Sequence, residues 1–306
     1  ICDAGTKTIN MKAHDAGLKG TLTDNGDGTA TFVMDALKAG DKVSIGGKTY
    51  TIGSDEAKVD AWFADNKITD TANAQITVNE KTYTYYGETA ATGTTGKINK
   101  GWYAAQPTAP TDKDDETTPI YADVNAIKDA VKAGATAKTG GKTITALNDA
   151  KDNLTGDAKA DGISDTDATV ISKNKAYELA SKELLKANQI GDTENSAKVG
   201  VGDVDTSVDL TNGTGTFKIQ TGSAKVANTL SFSLHVGSDA DMTNKIQVNI
   251  DSMDSASLGI KGINVKDDSG NAATYAIDAI SDAISKVSSQ RSSLGAVQNR
   301  LEHTIN

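Results

Sequence analysis

Cysteine, proline and aromatic residues are scarce in this chain: 306 residues include one cysteine, three prolines and 5% Phe, Trp and Tyr. Because Cys2 has no second cysteine to pair with, an intrachain disulfide is excluded. No apolar run approaches the roughly 18 residues that a membrane-spanning helix needs, so we expect no membrane span. Stability must therefore come from packing and from association with other chains.

Basic residues are also in the minority. The chain has 31 Lys and Arg against 41 Asp and Glu, which gives a net charge of −10. Because phosphate binding needs clustered Lys and Arg, this balance argues against a nucleic-acid partner. The acidic side chains are better suited to keeping an outer surface soluble.

Patterns that carry catalysis or metal binding are missing as well. The three histidines, His14, His235 and His303, are scattered, and no HExxH zinc motif occurs. Neither Gly-Lys-Thr run has the leading glycine of a phosphate loop. Asp24-Asn-Gly-Asp-Gly28 resembles part of a calcium loop, but the later acidic ligand is absent, which favours a turn. The sequence therefore predicts no enzyme, no catalytic residue, no cofactor and no metal site.

The first 120 or so residues have the pattern of β-hairpins. Residues 20–34 form two alternating strands around the turn sequence Asn25-Gly26-Asp27-Gly28. A local repeat follows, in which residues 43–52, VSIGGKTYTI, align with residues 76–85, ITVNEKTYTY. Each copy is predicted to form two short strands about a two-residue turn.

Short helices are predicted between the strands, at 55–66 with Ser54 as the N-cap, at 121–133 and at 172–188. Residues 106–119, QPTAPTDKDDETTP, hold all three prolines and a cluster of acids. We interpret this segment as a linker or an exposed loop.

Strand patterns return between residues 197 and 250. Turns are predicted at Asn212-Gly213 and near Gly237-Ser238.

The stretch from Ala273 to Asn306 contains no proline and carries apolar residues at heptad spacing. Its predicted core seam comprises two heptad positions. One position holds Ile277, Ile284 and Ile305, and its polar interruptions are Arg291 and Gln298. The other position holds Ile280, Val287, Leu294 and Leu301. Because long helices draw their stability mostly from packing, the seam predicts partner helices. The candidate within this chain, residues 172–188, is about half as long, so we expect part of the seam to lack a partner here.

Residue identities narrow this interpretation further. Residues 291–306, RSSLGAVQNRLEHTIN, closely resemble the C-terminal core of bacterial flagellin, and residues 276–287, AIDAISDAISKV, resemble the helix of that family. Upstream, residues 228–238, NTLSFSLHVGS, and 246–260, IQVNIDSMDSASLGI, are similar to the family's strand pair. The resemblance covers about residues 226–306.

The resemblance implies a structural subunit of the bacterial flagellar filament, a motility protein that self-assembles through coiled-coil helices. The fold class is expected to be α+β: a β-hairpin-rich variable region with short helices, then a β-hairpin and a long C-terminal coiled-coil-type helix. Residues 1–225 would be the outward-facing, antigenic variable region, as one domain or as two subdomains that meet near 106–120. Residues 226–306 would be the C-terminal part of the inner domain. We expect the chain to be a fragment, because the family's N-terminal helices and final helix have no counterpart in it.

The same resemblance implies partners and a location. The expected partners are other flagellin subunits, a flagellar export chaperone, the cap protein, and the host flagellin-sensing Toll-like receptor or antibodies. The expected location is the extracellular flagellum, reached through the flagellar export apparatus. The polar residues Arg291, Gln298, Asn299, Arg300 and Glu302 would be interface residues that fix the register of packed helices, as isolated polar core positions do, or they would belong to a solvated helix face. The candidate receptor or subunit contacts are Ile280, Ile284, Asn299, Arg300 and Glu302.

Two other functions stay open at this point. A hook-associated or filament-cap protein shares helical termini but sits at a junction or at the tip. A β-rich surface adhesin is the second alternative, although an adhesin has no need for the run Arg291–Asn306.

Overall fold

The computed structural model describes residues 5–236, 244–265 and 270–305, with side chains as far as His303. Its strands are β1 (Thr6–Asn10), β2 (Gly20–Asp24), β3 (Thr29–Met34), β4 (Lys42–Ile45), β5 (Lys48–Ile52), β6 (Gln75–Val78), β7 (Lys81–Tyr86), β8 (Lys97–Ile98), β9 (Gly101–Tyr103), β10 (Glu116–Thr117), β11 (Thr136–Thr139), β12 (Lys142–Thr145), β13 (Val170–Ile171), β14 (Lys198–Gly200), β15 (Thr216–Gln220), β16 (Ser223–Ala227), β17 (Leu230–His235) and β18 (Lys245–Ile250). Its helices are α1 (Glu56–Asp65), α2 (Val124–Lys132), α3 (Lys173–Asn188) and α4 (Asn271–Ile305). The predicted α+β class, with hairpins followed by a long C-terminal helix, is confirmed.

The chain folds into two compact units that do not follow chain order. Unit 1 comprises Ile1–Asp35, Leu179–Val208 and Thr214–Asn306, and unit 2 comprises Ala36–Glu178 and Asp209–Gly213. The proline-containing segment 106–119 lies inside unit 2. The division into a variable region and an inner domain stays a prediction.

Unit 1 contains a four-stranded antiparallel sheet in the order β14-β15-β3-β2. The hairpin β2–β3 forms as predicted, and its turn is held by carboxylates: Asp24 Oδ1 accepts the Gly26 N–H (2.8 Å), and Asp27 Oδ1 accepts the Thr29 N–H (2.9 Å). The residues that resemble a calcium loop therefore serve as turn acceptors. Phe32 and Phe217, both fully buried, stack with ring centroids 6.3 Å apart in the core of the unit.

The first strand departs from the predicted pattern of local hairpins. β1 pairs antiparallel with β16, from Thr6 opposite Ala227 to Asn10 opposite Ser223. This pairing joins segments that are far apart in the sequence. No turn sequence connects these two strands, so their pairing could not be predicted from the local sequence and depends on tertiary packing.

Unit 2 is built around a five-stranded antiparallel sheet in the order β12-β11-β6-β7-β9. Helices α1 and α2 contact each other and pack on one face of that sheet. The largest core residue is Trp102, which is fully buried and donates its indole N–H to Asp70 Oδ1 (2.8 Å). The other buried members of this core are Val59, Phe63, Ile68, Ile76, Val78, Tyr83, Tyr85, Ile127, Val131, Ala137, Ile144 and Ala146.

Both copies of the repeat form the predicted hairpins. β4 and β5 flank Gly46-Gly47, and β6 and β7 flank Asn79-Glu80. The predicted N-cap of the intervening helix α1 is wrong by one residue. Asp55, not Ser54, caps the helix, since Asp55 Oδ1 accepts the Lys58 N–H (2.8 Å). Ser54 is instead buried in a bridge with Ala146, where its N–H donates to the Thr145 carbonyl oxygen.

The remaining predicted elements also appear. α2 starts after its N-cap Asp123, α3 matches the third predicted short helix, and β17 pairs with β18 from Leu230 opposite Ile250 to His235 opposite Lys245. The turn predicted near Gly237-Ser238 lies outside the described residues. Within the described ranges, no helix combines the length and the apolar character needed to cross a bilayer.

Candidate assembly surface

The long helix α4 follows from its sequence. The segment has no proline and is rich in alanine, and its start at Asn271 follows Gly270, whose φ of +71° suits the sharp change of direction before a helix. At about 1.5 Å per residue, its 35 residues extend roughly 50 Å. A single helix of this length presents several faces, and they have different environments.

One face of α4 is a stripe of buried alanines. Ala276, Ala279 and Ala283 are 2%, 7% and 6% exposed. Small side chains at helical spacing let the backbone of the helix approach the rest of unit 1 closely. The sequence analysis did not predict this stripe, because the heptad was assigned from the large apolar residues alone. The spacing of the three alanines, three and then four residues, is nevertheless the spacing of one helix face.

A neighbouring face carries a row of exposed isoleucines. Ile277, Ile280 and Ile284 are 63%, 45% and 61% exposed, and each directly follows one of the buried alanines. Because successive helix residues are about 100° apart, the two rows lie on different faces. This row is the N-terminal part of the predicted seam, and the structure leaves it uncovered within the chain.

Further along α4 the seam residues differ in exposure. Val287, Leu294 and Leu301 are half-buried, whereas Arg291, Gln298, Asn299, Arg300 and Glu302 are exposed. Gln298 Nε2 donates to Glu302 Oε1 (2.9 Å), one turn further along the helix. The side chain of Ile305 lies outside the described residues. The roles assigned to these residues in helix packing, assembly and receptor contact stay predictions.

Polar contacts connect α4 to the rest of unit 1 at three positions along the helix. The Tyr275 hydroxyl donates to Glu183 Oε2 of α3 (2.6 Å). Lys286 Nζ donates to the Ser257 carbonyl oxygen (3.4 Å), and Gln290 Nε2 donates to the Asn249 carbonyl oxygen of β18 (2.9 Å). These contacts fix which face of the helix is turned toward the unit.

Helix α3, the candidate intrachain partner, does not cover the isoleucine row. Its Ala180, Leu184 and Ala187 are buried, while the three isoleucines of α4 stay exposed. A hydrogen bond between Tyr275 of α4 and Glu183 of α3 joins the two helices. The strand neighbour of α4 is β18.

The hairpin β17–β18 adds exposed apolar residues to unit 1. Leu230 and Phe232 of β17 are 52% and 40% exposed, whereas Ile246 and Val248 of β18 are buried. Exposed large apolar side chains on soluble proteins mark interaction sites when they cluster.

Across the part of the chain that the structure describes, no three His, Cys, Asp or Glu side chains are grouped as a metal ion would need. Burial raises the pKa of Asp149, with Asp161 and Asp165 adding to the effect, but the Asp149 carboxylate is already occupied by the N–H groups of Asp161 and Gly162. The Asp149 carboxylate is therefore explained by a structural role, which is to hold the backbone of residues 161 and 162.

Comparison with known proteins connects α4 to a family. The sequence model described as the bacterial flagellin C-terminal helical region matches residues 277–306. The putative flagellin YvzB of Bacillus subtilis (strain 168) is 47% identical over 75 residues, which are 24% of this chain and 46% of that protein. Flagellin of the same organism is 39% identical over 112 residues, 30% of this chain and 36% of the relative.

A relative from a different organism shows the same likeness. The flagellar filament 33 kDa core protein of Treponema phagedenis is 36% identical over 96 residues, which are 30% of this chain and 32% of that protein. The chain thus spans less than half the length of these curated relatives. No solved structure matches it. The helix that carries the isoleucine row is therefore the part of the chain that matches the bacterial flagellin C-terminal helical region, and the similarity to flagellins is concentrated in about a quarter to a third of the chain.

Proposed function

We propose that this chain is a structural, non-enzymatic subunit of the bacterial flagellar filament that assembles through α4. The observation that carries the proposal is the row Ile277, Ile280 and Ile284, which is exposed on the helix that matches the flagellin family. A monomer gains nothing from exposing three isoleucines in a row at heptad spacing, whereas a packed bundle of helices buries them.

The energy available from this row is substantial. Burying each isoleucine on a partner helix would contribute about 1.5–3 kcal/mol. The polar interruptions at Arg291 and Gln298 would then fix the register, because a polar group at a core position tolerates few arrangements. The partners in the filament are other flagellin subunits.

The remaining features of the proposal follow from the family. The variable region, residues 1–225, faces outward on the extracellular filament and carries the antigenic surface. The chain leaves the cell through the flagellar export apparatus with the help of an export chaperone, and it assembles beneath the cap protein. Ile280, Ile284, Asn299, Arg300 and Glu302 are the candidate contacts with neighbouring subunits or with the host flagellin-sensing Toll-like receptor.

The many Ser and Thr residues of the variable region also make it a candidate carrier of glycans. Intact-mass measurement on native filaments tests this part separately. An added mass on residues 1–225 supports it, and a mass equal to that of the unmodified polypeptide contradicts it.

Immunogold electron microscopy tests the assignment as a whole. Antibodies raised against residues 1–225 should decorate filaments along their entire length on intact cells. Gold confined to the tip or to the hook junction would instead indicate a cap or hook-associated protein. Label restricted to the cell body would favour the adhesin.

A further inference from the structure

Strand β17 has an open edge in unit 1. Among the described residues, its sheet contains only β17 and β18. Just past the end of β17, the Val236 N–H donates to the Asn244 carbonyl oxygen (2.9 Å), in register with the ladder between the two strands. Hydrogen-bonded and non-hydrogen-bonded pairs alternate along an antiparallel ladder. The even-numbered residues of β17 therefore direct their backbone N–H and C=O groups toward β18.

The odd-numbered residues direct theirs the other way. These residues are Ser231, Ser233 and His235, and all three are exposed. No described strand pairs with this side of β17. The outer edge of β17 thus offers three residues whose backbone groups are available to another strand.

The edge of β17 also lacks the protection that the other edges have. Soluble proteins usually guard an open strand edge with a charged side chain or a proline. The six residues of β17, LSFSLH, include no Lys, Arg, Asp, Glu or Pro. Every other described edge strand of at least four residues carries a charged residue: Lys7 in β1, Asp24 in β2, Lys42 in β4, Lys142 in β12, Lys225 in β16 and Lys245 in β18.

The apolar face of the hairpin is covered on one strand only. Phe232 of β17 lies opposite Val248 of β18, and Leu234 lies opposite Ile246, so these four side chains share a face. Ile246 and Val248 are buried, whereas Phe232 is exposed and Leu234 is half-buried. The face therefore extends beyond the part that the rest of unit 1 covers.

A second copy of β17 matches this edge in the antiparallel direction. With Ser233 opposite Ser233 of the second copy, Ser231 lies opposite His235 of the second copy, so every outward-directed residue takes part in a hydrogen-bonded pair. The same register places Phe232 opposite Leu234 of the second copy, and the apolar face continues across the new pair. No ionised carboxylates or ammonium groups of β17 meet, because the strand has none.

We propose that β17 is a docking edge for a second copy of this chain, which adds its own β17 antiparallel and extends the hairpin into the four-stranded sheet β18-β17-β17-β18. The contact is isologous, as in a two-fold dimer. It also gives the hairpin the additional strands that an isolated two-stranded sheet needs for stability. The inference goes beyond the proposed function, because it uses the backbone of β17 and does not involve α4.

Sedimentation equilibrium of the whole chain over a range of concentrations tests the pairing. The unaltered protein should show a monomer–dimer equilibrium. Ser233→Lys places two ammonium groups directly opposite each other in the centre of the contact and should abolish the dimer. Gln247→Lys is the matched control, since Gln247 is the exposed cross-strand neighbour of Ser233 on β18 and should leave the dimer intact.

Ile280→Ser separates this contact from association through α4, and it should leave the dimer intact. A dimer that is lost in Ile280→Ser but retained in Ser233→Lys would move the contact to α4 and overturn the proposal. A protein that is monomeric at every concentration would also overturn it. Neither result bears on whether α4 assembles into a filament, which the immunogold experiment decides.

Amide hydrogen exchange of the unaltered protein, followed by NMR, tests the geometry without any variant. The N–H groups of Ser231, Ser233 and His235 should exchange fast in dilute protein and slowly in concentrated protein, because only the second copy occupies them. Those of Phe232 and Leu234 should be protected in both, since they donate to β18. Protection of the three odd-numbered amides that does not change with concentration would contradict the proposed edge.

Discussion

Phe32 and Val33 are neighbours on β3, but they have opposite environments. Phe32 is fully buried and stacks on Phe217, whereas Val33 is 47% exposed on the other face of the sheet. The alternation of a strand predicts that the two side chains point in opposite directions. Which of the two faces is covered depends on the strands and loops that pack on the sheet.

Truncating these neighbours separates the two environments. Phe32→Ala should lower the free energy of unfolding by about 3–5 kcal/mol, because it removes a buried ring and leaves a cavity. Val33→Ala is the matched control and should change it by no more than roughly 0.5 kcal/mol. Urea unfolding monitored by circular dichroism measures both. Similar losses in the two variants would show that β3 is covered on both faces.

The N-cap of α1 is a second residue whose role can be measured. Asp55→Ala removes the acceptor of the Lys58 N–H and should lower the free energy of unfolding by about 1 kcal/mol at neutral pH. Hydrogen bonds from Lys58 hold the pKa of Asp55 below its ordinary 3.8. Its contribution is therefore present above pH 3.8 and is lost as the pH falls through the folded-state pKa.

The difference between Asp55→Ala and the unaltered protein should consequently shrink in acid. Asp55→Asn is the control, since asparagine caps as well as aspartate but does not titrate. At neutral pH it should fall short of the unaltered protein only by the exposed ion pair between Asp55 and Lys58 Nζ, about 0.5 kcal/mol, and it should not lose its contribution in acid. A difference for Asp55→Ala that is independent of pH would mean that the carboxylate is not the cap.

At the scale of elements, the sequence predicts the existence of helix α4 clearly, but it does not predict which face of the helix packs on the rest of unit 1. The heptad spacing and the absence of proline indicate a long helix, and the structure has one from Asn271 to Ile305. The heptad also predicts a seam for partner helices, with α3 as the candidate partner for part of it within the chain. The structure attaches the alanine stripe instead, because small side chains let the helix lie close to unit 1 while the row of larger side chains faces outward.

Substitutions on the two faces of α4 should therefore act on different properties. Ala283→Leu overpacks the attached face and should lower the free energy of unfolding by about 1–3 kcal/mol. Ile280→Ser should leave unfolding of the isolated chain nearly unchanged and reduce incorporation into filaments. Thermal unfolding and sedimentation of polymerised protein measure the two effects.

Two results for Ile280→Ser would contradict this assignment of the faces of α4. Loss of folding in Ile280→Ser would show that the isoleucine row is part of the core of the chain. Full incorporation of Ile280→Ser into filaments would exclude this residue from the assembly surface. Val33→Ser is a control for exposed apolar residues outside the row and should assemble normally.

At the scale of the whole molecule, the chain holds two units with separate cores. Unit 1 contains the stacked pair Phe32 and Phe217, and unit 2 contains Trp102, Ile127 and the residues packed around them. Unit 1 draws on three separate parts of the sequence, and unit 2 on two. A composition shift along the chain cannot reveal such an arrangement, because distant segments contribute to one core.

Calorimetry should resolve two unfolding transitions, since two cores need not melt together. Ile127→Ala should destabilise unit 2 by about 2–5 kcal/mol and lower one transition. Phe32→Ala should lower the other. A single transition that both variants lower would instead mean that the two units unfold as one cooperative block.

The sequence by itself determined the local elements of this protein. The turn residues at Asn25-Gly26, Gly46-Gly47 and Asn79-Glu80 set the hairpins, because they fix the backbone angles and hence the register of the strands on either side. The heptad and the absence of proline set α4, and the residue identities of 291–306 pointed to the flagellin family.

Only the tertiary structure decided the contacts between distant segments. β1 pairs with β16, β3 with β15 and β6 with β11, and α4 presents its alanines rather than its isoleucines to unit 1. These choices depend on which surfaces remain uncovered once the local elements have formed. No short-range backbone preference encodes such a choice, because it is a comparison of packing energies over the whole chain.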